Sequence, residues 1–106
     1  MTRADPTAPQ PATPTVRQAV LSAAAAAIAG AREASYGDPD QSFTTIAQLW
    51  TAYLDRYIEP HDVAAMMALL KLARVKYGGG RSYDSWVDLA GYAAVGAEVA
   101  TDRPDA

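Results

Sequence analysis

The chain has 106 residues, half of them apolar, with 12 acidic against 9 basic side chains and a net charge of −3. It contains no cysteine and one histidine, His61, which excludes disulfides, thiolate metal sites and an imidazole-rich metal centre within one chain. A resident metal would have to be held by oxygen, as magnesium or manganese is, and the loose series Lys71, Arg74, Lys76 and Arg81 is too sparse for general nucleic-acid binding but sufficient for a small phosphorylated ligand.

Residues 1–15 carry four of the seven prolines and almost no large apolar side chain. Such a segment cannot bury enough surface to offset the entropy of ordering its backbone, so a disordered tail is predicted. It has no apolar run of the signal-peptide kind, and no later stretch offers eighteen uninterrupted apolar residues. The expectation is a cytoplasmic chain without a membrane partner.

Four helices are predicted next, within an all-α domain over 16–101, followed by a disordered end at 102–106. The first runs from Val16 to about Ala34 with Thr15 as N-cap, and Val16, Val20, Ala23, Ala24, Ala27 and Ile28 form its apolar stripe. Tyr36-Gly37-Asp38-Pro39-Asp40 breaks it. The second begins near Ser42 and places Phe43, Ile46, Ala47, Leu49, Trp50, Tyr53, Leu54 and Tyr57 at helical spacing, as the aromatic wall of a core. After Ile58-Glu59-Pro60 the third runs to Lys76 or Tyr77, with Val63, Met66, Met67, Leu70, Ala73, Arg74 and Tyr77 along one side. Gly78-Gly79-Gly80 ends it. The fourth starts between Ser82 and Asp84, ends near Ala100, and carries the small-residue face Val87, Ala90, Gly91, Ala94 and Ala97. No strand pattern is present, so the fold class is all-α, a four-helix bundle-like domain. The alanine-rich first helix and the small-residue fourth leave apolar stripes to cover, which predicts a homo-oligomer.

The polar residues on these helices are the candidates for a site. Asp84 and Asp88 are four apart, so both carboxylates point one way and repel unless a cation relieves them. Asp84 as a helix cap with Asp88 paired to Lys71 or Arg74 satisfies this, and so does magnesium held by both acids. Lys71 and Arg74 share a face of the third helix, suited either to ion pairs with the aspartates or to phosphate. The amides of the glycine turn before Arg81 could hold an anion or simply connect two helices. Tyr36 and Asp38 fit base stacking and hydrogen bonding at a pocket mouth, or a plain turn. His61 reads as a surface residue, and Trp50, Tyr53 and Tyr57 as core.

The ordered motifs Arg32-x3-Tyr36-Gly37-Asp38-Pro39, Phe43-x2-Ile46-Ala47-x-Leu49-Trp50, Asp62-Val63-Ala64-x-Met66-Met67-x-Leu69-Leu70-Lys71-x2-Arg74 and Asp84-Ser85-x2-Asp88-x-Ala90-Gly91-Tyr92 resemble a family of small, largely uncharacterised phage and prophage proteins over about residues 20–98. The Lys-x2-Arg pair with the following Asp-containing helix also looks like the phage nucleotide-modification-associated domains and, more distantly, the MazG-like all-α nucleotide pyrophosphohydrolases. That distant resemblance implies magnesium on acids of two helices and water attacking between the α and β phosphates. Its Glu-Glu-x2-Glu half is absent here, where only Glu33 and Asp55 stand on the first two helices, and Asp84-x3-Asp88 matches the other half loosely.

The resulting expectation is a phage-type protein that binds a nucleotide or nucleotide-derived signal, sequestering it without turnover. Arg32, Lys71 and Arg74 would face phosphate, Tyr36 and Asp38 the base or ribose, and Asp84 and Asp88 would orient the cations or hold magnesium. The alternatives are a magnesium-dependent nucleotide pyrophosphohydrolase and a structural or interaction module whose buried ion pairs set helix register.

Overall fold

The computed structural model describes residues 12–29 and 39–100; most of the predicted tail, residues 30–38 and residues 101–106 lie outside the described residues. Among the described residues the chain is all-α: helix α1 is Val16–Ala29, α2 Pro39–Leu54, α3 Pro60–Tyr77 and α4 Tyr83–Ala100. None of these helices is long and apolar enough to cross a membrane.

The helix ends follow from local chemistry. The Thr15 hydroxyl accepts from the Gln18 amide at 3.2 Å while the Gln18 side chain accepts from the Thr15 amide at 2.7 Å, a reciprocal capping box that starts α1. Helix α2 begins at Pro39, three residues ahead of the predicted Ser42. Proline reads as a breaker for the helix before it, yet its fixed φ suits the first position of the helix after it. The other end of α2 is closed by Thr51, whose Oγ1 accepts from the Ile58 amide at 2.8 Å, with Asp55 at φ +54° turning the chain. At the start of α3, Pro60 occupies the first turn and the Asp62 carboxylate accepts from the Glu59 amide at 2.9 Å.

The glycine turn is a Schellman cap. The Gly80 amide donates to the Val75 carbonyl at 2.9 Å and the Gly79 amide to that of Lys76 at 3.1 Å, with Gly79 at φ +64°, a conformation glycine adopts without strain. Gly78 donates to Arg74 and Arg81 to Gly78. These four amides are therefore committed within the turn, and the sequence-based alternative of an anion-holding loop gives way to that of a helix connection. The Trp86 indole N–H donates to the Gly80 carbonyl at 2.9 Å and ties α4 back onto it.

Helix α4 is the centre of the arrangement, packing most extensively on α3 and also on α1 and α2, while α3 packs on α2 as well. The core is a line of small residues along the bundle, with Val63 fully buried and Ala24, Ala47, Ala64, Val75, Val87 and Val95 buried as well. A Cβ added at Gly96 would lie 3.1 Å from the Ala64 Cβ, which is how closely α3 and α4 approach.

Three expectations about helix faces are corrected. The buried line of α3 is Val63, Ala64 and Val75, with Lys71 half-buried, whereas Met66, Leu70, Ala73, Arg74 and Tyr77 are exposed. Apolar residues surround α3, so its periodicity cannot select the inner face. On α4 the inner line is Val87, Gly91 and Val95, while Ala94 and Ala97 face outward. On α2 the aromatic wall is partial: Phe43 and Trp50 are half-buried, but Tyr53 is 89% exposed, because Ala47 and Thr51 take the inward positions toward the C-terminal half of the helix, and Tyr57, beyond the helix end, is 78% exposed.

Candidate functional site

Lys71 stands in the middle of α3 on its inner face, and its Nζ lies 2.8 Å from Asp88 Oδ2 on α4. The Lys71 side chain is 17% exposed and that of Asp88 37%. An ammonium withdrawn this far from water needs an anion beside it, and Asp88 is the partner among the described residues. Lys71 and Asp88 thus form the internal pair that the sequence offered as one alternative.

Two more charges extend this pair. Arg74 is nearly one turn along α3 from Lys71, exposed and without an ion pair among the described residues. Asp84 is one turn before Asp88, exposed in the first turn of α4. It does not cap the helix: Ser82 does, accepting the Trp86 amide at its carbonyl and donating its hydroxyl to buried Ser85 Oγ at 2.7 Å. Lys71, Arg74, Asp84 and Asp88 therefore form a mixed-charge edge at the end of the α3–α4 hairpin nearest the glycine turn.

The end of α1 reaches the same region. Ile28 packs over Gly91, its Cγ2 3.5 Å from where a Gly91 Cβ would be, and Gly91 is three residues beyond Asp88 on α4. The chain leaves α1 one residue later and returns at Pro39. Arg32, Tyr36 and Asp38 fall in that interval, outside the described residues.

For magnesium, the described residues supply Asp84 and Asp88 alone at this edge, one of them occupied by Lys71. That donor set suits an ion that brings phosphate and water as its remaining ligands, and it falls short of an all-protein cage.

Two features were not foreseen from sequence. Glu59, His61 and Asp62 bring potential ligand atoms within 4.8 Å of one another at the start of α3. His61 Nδ1 is 3.2 Å from Glu59 Oε2 and Nε2 is 3.6 Å from Asp62 Oδ1. The only sequence signal was three polar residues around a proline, and the group reads as the polar chemistry of a helix start. A shallow apolar groove of about 320 Å³ also runs between α3 and α4, lined by Ala64, Ala65, Ala68, Tyr92, Ala93 and Gly96. It lies toward the end of the hairpin away from the glycine turn, beginning at Tyr92 one turn beyond Asp88.

Residues 19–100 match the family model described as a domain of unknown function, DUF6378. The chain is 45% identical over 76 residues to the Gene 55 protein of Mycobacterium phage D29, a match covering 72% of this chain and 50% of that protein. To the Gene 55 protein of Mycobacterium phage L5 it is 46% identical over 78 residues, covering 72% and 49% respectively. The chain thus spans about half the length of these curated relatives. No solved structure matches it.

Proposed function

The chain belongs to the DUF6378 family and is similar to phage proteins named only by gene number, and from its charged edge we propose that it binds a nucleotide or nucleotide-derived small molecule without turning it over. The observation that carries this reading is the Lys71–Asp88 pair, a half-buried lysine nearly one turn from exposed Arg74. A phosphate approaching this edge can take over Lys71 as its counter-charge and receive the bidentate fork of Arg74. Asp88 and Asp84 are then left to orient the cations or to share a magnesium ion that arrives with the phosphates. Arg32, Tyr36 and Asp38 complete the site in this reading, the first toward phosphate and the others toward base or ribose. The resemblance of the Lys-x2-Arg and Asp-x3-Asp motifs to phage nucleotide-modification-associated and MazG-like domains supports the ligand class. In a phage-infected cell the protein would sequester a signalling nucleotide in the host cytoplasm.

The test is a panel of nucleoside triphosphates and cyclic nucleotides, with and without magnesium, read by thermal shift and by product analysis. Stabilisation by at least one nucleotide without product is expected, and Lys71→Met should abolish it. Magnesium-dependent pyrophosphate release that Asp88→Asn eliminates would make the protein a pyrophosphohydrolase instead. If no nucleotide moves the melting temperature, Lys71–Asp88 is a register-setting ion pair and the binding proposal fails.

A further inference from the structure

Helix α3 carries apolar residues on every side, interrupted by Asp62, Lys71, Arg74 and Lys76. Its inner side is covered by α4 and α2. Its outer side carries Ala65, Met66, Leu69, Leu72 and Ala73 in contact with solvent, Leu69 being 63% exposed, and Tyr77 at its end is 92% exposed. Isolated exposed leucines are ordinary, but a continuous apolar helix face marks an interaction surface.

The order of residues along that face identifies the occupant. Leu69 is at its centre, with Met66 and Leu72 three positions to either side, Ala65 and Ala73 four, and Asp62 and Lys76 seven. A second α3 laid antiparallel across the first, with Leu69 on the two-fold axis, therefore sets Met66 against Leu72, Ala65 against Ala73 and Asp62 against Lys76, each pairing occurring twice. Self-complementarity of this kind is what an isologous interface requires. The opposed helix dipoles favour the same antiparallel arrangement. Asp62 uses one carboxylate oxygen to cap α3 and still has acceptor capacity for a partner's ammonium, and Lys76 is exposed.

We infer that the outer face of α3 is a homodimer interface in which two copies of this chain pack antiparallel about Leu69, with Asp62 and Lys76 pairing across it. The predicted oligomer is thereby moved from the stripes of α1 and α4 to α3. The interface leaves the inner Lys71–Asp88 edge open, so it stands or falls separately from ligand binding.

Sedimentation of the 106-residue chain over a wide concentration range is expected to give a species of twice 11.2 kDa. Leu69→Glu should convert it to a monomer with unchanged helical circular dichroism, and Lys76→Glu should raise the dissociation constant about tenfold by setting like charges together at both ends. Because the chain has no cysteine, Leu69→Cys should form an interchain disulfide on mild oxidation, whereas Leu21→Cys on α1 should not. A monomer at every concentration, a dimer that survives Leu69→Glu, or equal crosslinking at positions 21 and 69 would overturn the inference.

Discussion

Lys71 and Asp88 each lose a partner if the other is replaced, and the pair is neither fully buried nor fully wet. Single removal strands a partly desolvated charge, while removing both leaves two neutral side chains of similar shape. The double-mutant cycle of Lys71→Met and Asp88→Asn should give a coupling energy of about 1 kcal/mol in urea unfolding, near the upper end for partly exposed pairs. This contact was legible in the sequence as one of two alternatives because Lys71 and Asp88 both interrupt apolar runs. The choice of Lys71 over Arg74 was not legible, since the two are three residues apart and only the rotation of α3 decides which points inward. Ser85 escaped notice because a serine near a helix start ordinarily signals only a cap, and here the cap is Ser82 with Ser85 as its hydroxyl partner.

At the scale of the helix, the boundaries were read from sequence better than the faces. Thr15, Pro60 and the glycine run act through local hydrogen bonds and fixed dihedrals, which depend on a few neighbouring residues. Faces depend on what packs opposite, and on helices as broadly apolar as α3 and α4 several rotations satisfy the same pattern. Two glycines of α4 make the packing measurable. At Gly91 a Cβ would meet Ile28 Cγ2 at an ordinary 3.5 Å, so Gly91→Ala should stabilise the protein by up to about 1 kcal/mol through helix propensity. At Gly96 the neighbour is the Ala64 Cβ at 3.1 Å, which cannot rotate away because it is fixed to the backbone of α3. Gly96→Ala should therefore cost about 1 kcal/mol as the hairpin is forced apart. The two substitutions should shift the thermal midpoint in opposite directions.

At the scale of the molecule, the four helices were legible, but not the unevenness with which they are held. Helices α2, α3 and α4 support one another, whereas α1 packs substantially on α4 alone. The stripe predicted for α1 buries Ala24 fully and Val20, Ala23 and Ile28 in part, so little apolar area anchors fourteen residues. A segment with so few buried contacts opens at a free energy well below that of global unfolding. Amide hydrogen exchange should accordingly find the α1 amides beyond the first turn exchanging well ahead of those in the centres of α3 and α4. Because α1 leads directly into residues 30–38, any ligand that engages Arg32 or Tyr36 must also hold the end of α1 in place, and protection of α1 amides would rise with saturation. If the proposed ligand binds there, the loosely held first helix would report occupancy, signalling a filled site by how slowly it exchanges.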